Sequence, residues 1–82
     1  MLIGKVTGTI VSTRKCESLI GSKFLEVQLI HNGVEADSYI IAIDSVGAGI
    51  GERVLLTTGS GARLALRDTN MPTDAVIVGI VD

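Results

Sequence analysis

Asn32-Gly33 stands between two stretches of apolar and polar alternation, and this arrangement constrains the fold more than any other feature of the sequence. In "KFLEVQLI" Leu25, Val27 and Leu29 share one side with Glu26 and Gln28 opposite. In "EADSYIIAI" Tyr39, Ile41 and Ile43 fall in step. Asn-Gly between two such runs is the strongest short signal for a tight hairpin, because both central residues must adopt positive φ. The same period of two recurs elsewhere and predicts strands. "LIGKVTGTIVST" places Leu2, Val6 and Ile10 with Gly4 and Gly8 on one face, and Lys5, Thr7 and Thr9 on the other. "ERVLLTT" gives a fourth strand and "AVIVGIV" (75–81) a fifth.

Two segments interrupt the pattern. "RKCESLIGS" (14–22) reads as a long polar connection with Leu19 and Ile20 near its end. "SGARLALRDTNMP" (60–72) reads as a short helical turn running into a loop before Asn70 and Pro72. Five strands, one short helix and many glycines predict an all-β protein: a five-stranded, OB-like β-barrel forming one domain over residues 1–82.

A chain of 82 residues buries only about 60% of its unfolded surface as a monomer. Hydrophobic residues make up 46% of it and charged residues 20%, more apolar side chain than one small core can hide. Other copies are expected to cover the excess. The last strand points the same way. Both of its alternating faces are apolar, and the face of Val76, Val78 and Ile80 is expected at a subunit interface. Cover by the chain's own helix or loop is the alternative.

The same numbers narrow the function. A formal charge of −2 and only two aromatic residues, Phe24 and Tyr39, remove the basic stripe and stacking rings of nucleic-acid binding. No apolar run approaches the roughly 18 residues of a spanning helix, and "MLIGKVTG" lacks the charged start and long apolar segment of a signal peptide. Neither a membrane partner nor secretion is expected. Cys16 is the only cysteine, which fits the cytosol better than an oxidising compartment.

The stretch "DSVGAGIGERVLLTTGSGAR" (44–63) holds two glycine-rich segments that suggest phosphate cradles. "GAGIG" is followed by a strand instead of a helix, and Glu52 would repel a pyrophosphate. "TTGSGARLAL" lacks the Lys-Ser/Thr pair of a phosphate-binding loop, and around Ser60 the Gly-x-Ser-x-Gly pattern of a nucleophile elbow fails. Ser60 is expected to cap the short helix, a contribution of about 1 kcal/mol. Arg63 is expected to reach a carboxylate or a neighbouring carbonyl. One histidine, His31, and one cysteine supply no ordinary metal-ligand set, and the acids are dispersed. Catalytic, cofactor-binding and metal residues are therefore expected to be none, and the glycines to be architectural.

Taken together, these residues resemble the EutN/CcmL family of bacterial microcompartment vertex proteins across essentially the whole chain. The family's opening is matched by Gly4, Val6, Gly8 and Thr13, and its next segment by Lys15, Leu19, Gly21, Lys23 and Leu25. Asp44, Gly47, Gly49, Gly51 and Val54 fit its D-x-x-G-A-G-x-G-E-x-V run. Gly59, Ser60, Ala62 and Arg63 fit its G-S-x-A-R run, and Asp74, Ala75 and the strand to Asp82 fit its ending. The resemblance implies a barrel protomer in a homopentamer that caps the vertices of a polyhedral shell, carboxysome or metabolosome, in the cytoplasm. It further implies hexameric shell proteins as partners and enclosed enzymes as a further partner class, with charged rim residues such as Arg63 setting register against the tiles. An OB-like binding module for an oligomeric ligand, nucleic acid or sugar, is the alternative; a small enzyme with a site between subunits is a third reading.

Overall fold

The computed structural model describes residues 1–11, 19, 21–66 and 73–82. The polar connection around Cys16 and Ile20, the family-like Thr13 and Lys15, and the loop through Asn70 and Pro72 lie outside the described residues. β1 spans Leu2–Ile10, β2 Phe24–His31, β3 Val34–Asp44, β4 Arg53–Thr58 and β5 Ala75–Val81; helix α1 spans Ser60–Ala65. The strands close into a barrel in the order β1-β2-β3-β5-β4. The predicted hairpin is present: β2 and β3 pair antiparallel across Asn32 and Gly33, whose φ values are 53° and 78°.

Alternation delivers the core. Val6, Leu25, Val27, Val54, Leu56 and Ile77 point inward and are fully buried. Each such side chain contributes roughly 1.5–3 kcal/mol of apolar transfer. Gly4 lies in the same interior, where a Cβ would overlap Val27 Cγ1 and stand 2.9 Å from the carbonyl oxygen of Gln28. Only glycine lets β1 pass this close to β2.

Bulges then break the simple pattern, because one extra residue turns every later side chain to the opposite face. In β1 the register steps between Val6↔Val27 and Gly8↔Glu26, leaving Thr7 as the extra residue. Ile10 consequently lies opposite Phe24, exposed on the outer face instead of with Leu2 and Val6. In β5 the step lies between Leu56↔Ile77 and Leu55↔Gly79, with Val78 extra. Ile80 therefore opposes the buried Val54 and leaves the face that Val76 occupies.

A second apolar cluster sits outside the barrel, where α1 covers Ile43, Ala62 and Val76, with Phe24, Leu66 and Val78 packed around them. This corrects the expectation for Val76 on the fifth strand. Val76 is 0% exposed within the single chain, so the chain's own helix and not a neighbour covers it. The bulge separates Ile80 from this face, and Val78 is half-buried against the same cluster.

The barrel seam is short. β3 and β5 pair in parallel only at Ile43↔Val76 and Asp44↔Ile77. Along the stretch before Ile43, β2 is the strand partner of β3 among the described residues, and there Tyr39 and Ile41 are 50% and 48% exposed. The protomer presents 5034 Å² of surface, more than the roughly 4,700 Å² expected of a compact 8.5 kDa monomer.

Candidate functional site

The first glycine segment is a closed loop organised by two carboxylates. Asp44, the last residue of β3, accepts the backbone N–H groups of Val46 at 3.0 Å and Gly47 at 3.1 Å on Oδ1, and that of Ala48 at 3.0 Å on Oδ2. Lys23 Nζ lies 3.5 Å from Oδ2 and donates to the Ala48 carbonyl at 3.1 Å. The Asp44 side chain is only 2% exposed, and these donors compensate its burial. Glu52 Oε1 accepts the N–H of Gly49 at 2.6 Å, and the Glu52 N–H returns to the Gly49 carbonyl at 3.2 Å. Gly51 donates to the Val6 carbonyl at 2.8 Å while Val6 donates to the Glu52 carbonyl at 3.0 Å, so the loop extends the β1–β4 pairing past its last strand residue.

This geometry decides what the loop can do. A phosphate cradle needs free N–H groups converging on an anion. Here the N–H groups of Val46, Gly47, Ala48, Gly49, Gly51 and Glu52 already have acceptors within the chain, and two carboxylates face them. Gly47 and Gly51 take φ values of 82° and 89°, the backbone turns that let the loop fold back on Asp44 and on Val6.

The second segment is tied to the start of β5. Gly59 is the N-cap of α1 with φ 64° and ψ −141°, and no side chain caps the helix. Ser60 is thus not the cap: the chain enters the helix through a conformation that glycine adopts, which places Ser60 inside the first turn. The Gly59 N–H donates to the Asp74 carbonyl at 2.9 Å, and Arg63 Nη1 donates to the Thr73 carbonyl at 3.3 Å. Arg63 therefore ties the helix to the start of β5 through a carbonyl. Ala62 is fully buried against Ile43 and Val76, where a larger side chain would lift the helix from the wall.

Asp44, Gly47, Gly49 and Gly51 thus share one loop at the β1–β4 side, while Gly59, Ser60, Ala62 and Arg63 share the helix that seals the outer cluster. Sequence reasoning missed the roles of Glu52 and Lys23 as loop organisers. A carboxylate three residues after Gly49 is the signal that could have found Glu52. It also missed the exposed ion pair of Lys5 Nζ with Glu35 Oε1 at 2.7 Å, which lowers the Glu35 pKa through the hydrogen bond and then the charge of Lys5. Among the described residues no helix is long and apolar enough to cross a membrane.

What remains for function is the outer surface. The sequence profile described as "Ethanolamine utilisation protein EutN/carboxysome" matches residues 1–82. The chain is 47% identical to the carboxysome shell vertex protein CcmL of Gloeobacter violaceus, over 100% of its own length and 83% of the relative's. It is 45% identical to the bacterial microcompartment shell vertex protein PduN of Salmonella typhimurium, over 100% and 96% of the two lengths. The solved structure of GrpN, a pentameric microcompartment shell protein from Rhodospirillum rubrum, superposes with a TM-score of 0.90 at 44% identity, covering 100% of this chain and 94% of that one. A full-length match of sequence and barrel makes the conclusion direct: the chain belongs to the EutN/CcmL family.

Proposed function

We propose that this protein is a structural shell protein of a bacterial microcompartment, whose single domain over 1–82 assembles into pentamers that cap the vertices of the polyhedral shell. The observation that carries this reading is the full-length similarity to shell vertex proteins, one of them pentameric in its solved structure. The protomer supports it physically. The N–H groups of its first glycine-rich segment are taken up by internal hydrogen bonds, and apolar side chains stand exposed on its barrel wall. The protein acts as a structural unit and not as an enzyme, in line with its vertex-protein relatives. A five-fold unit among six-fold tiles supplies the curvature that closes a shell, so hexameric shell proteins are its partners and enclosed enzymes lie within the resulting compartment. No observation favours the OB-like binding-module alternative.

The test is co-production with hexameric shell proteins, imaged by electron microscopy. Closed polyhedra are expected with the protein and shells with open vertices without it. Shells equally closed in its absence would reject the vertex role.

A further inference from the structure

A ring of identical copies needs two different contact faces per chain, because each copy meets its neighbours through opposite sides. The outer wall of the barrel carries two separate apolar surfaces. One is a row running across neighbouring strands, Ile30↔Ile3 between β2 and β1, Ile3↔Leu55 between β1 and β4, and Leu55↔Gly79 between β4 and β5. Ile3 at its centre is 43% exposed. The other is the outer face of β3, where Tyr39 and Ile41 are half-exposed on a stretch whose further edge has no strand partner among the described residues.

Gly79 distinguishes the first surface. Glycine weakens a strand, since it adds backbone freedom and no side chain to pack. At Gly4 the barrel supplies a reason: a Cβ would collide with Val27 and the Gln28 carbonyl. At Gly79 it supplies none. The residue is not among those with positive φ, so the neighbouring bulge at Val78 does not demand it. A Cβ there would meet only Leu55, at 3.7 and 3.8 Å, which is ordinary van der Waals contact. The missing side chain leaves a shallow gap beside Leu55 on the outer wall, the kind of place where another chain approaches closely.

We propose that the Ile3–Leu55–Gly79 wall is one half of the contact between copies, and that it receives the β3 face of the next copy, with Tyr39 and Ile41 as the projecting side chains. The assignment rests on the ring reading above and adds which faces meet. An amphipathic aromatic ring suits such an anchor. Charge agrees with the pairing. Exposed Arg53 flanks the Gly79 wall opposite Val81, and exposed Asp37 lies two residues before Tyr39 on β3, so docking brings opposite signs together. The ion pair of Lys5 and Glu35 lies within the chain and is not available for this contact.

The experiment is native mass spectrometry of the full chain and three variants, with far-UV circular dichroism as the control for folding. The wild type is expected at five protomers. Gly79→Leu fills the gap and Tyr39→Asp spoils the projecting face; each is expected as a folded single protomer. Their mixture is the sharper test. One variant keeps a sound β3 face and the other a sound Gly79 wall, so only one good contact can form, and a two-protomer species with one copy of each is expected. Gly79→Ala, whose methyl the protomer accommodates, keeps the measurement informative if Gly79→Leu misfolds: it is expected to retain the barrel spectrum while the ring dissociates at concentrations at least tenfold higher than for the wild type. A wild-type pentamer with Gly79→Ala and Tyr39→Asp rings equally resistant to dilution would overturn the face assignment and leave the ring reading standing. A wild-type monomer would overturn both.

Discussion

Asp44 shows how much one side chain can organise. Its carboxylate replaces water for three successive N–H groups, so a loop with two positive-φ glycines holds one conformation. Asp44→Asn keeps the shape but loses the charge and presents an amide donor towards other donors. The expected loss is about 2 kcal/mol, moderated because Val46 and Gly47 are exposed and regain water. Urea denaturation followed by circular dichroism measures it, and an unchanged midpoint would deny the loop's dependence on the carboxylate. At Glu35 the Lys5 ammonium depresses the carboxyl pKa below the ordinary glutamate value. A depressed folded pKa contributes stability above the unfolded value that is lost as pH falls through the folded one, so this pair weakens only in the acid range. NMR titration should place Glu35 below an ordinary glutamate, and Lys5→Gln should return it towards that value.

At the scale of elements, α1 seals the outside of the barrel. The helix has six residues, too short to stand alone, and its stability comes from Ala62 seated on Ile43 and Val76. Ala62→Leu overpacks this seat and is expected to cost about 1–3 kcal/mol. Leu56→Ala opens a cavity in the barrel interior and is expected to cost about 2–5 kcal/mol. Thermal unfolding compares the two, and a neutral Ala62→Leu would mean that the helix does not close on the wall as described. This is also the scale at which the sequence stopped being legible. The hairpin was readable because Asn32 and Gly33 carry their turn geometry locally, and the five strands because alternation is a property of consecutive residues. The bulges at Thr7 and Val78 are set by what the partner strand offers, so nothing local announced that Ile10 and Ile80 would change face. The cover over Val76 likewise depends on a helix more than ten residues away in sequence. Asp44 and the glycines of its loop were visible as a pattern, but their hydrogen bonds required the fold-back onto β1.

For the whole molecule, the composition argument survives in altered form. The apolar excess is real, but part of it is spent inside the protomer under α1, and what stays exposed includes Ile3, Tyr39 and Ile41 on the barrel wall. A ring closed through the proposed faces would hide these wall residues and couple folding to assembly, so the thermal midpoint is expected to rise with protein concentration. The most direct measurement of the central claim is the native mass of the purified chain. The account predicts a species of five protomers of 8.5 kDa each that persists on dilution. A stable monomer with the same barrel spectrum would contradict it.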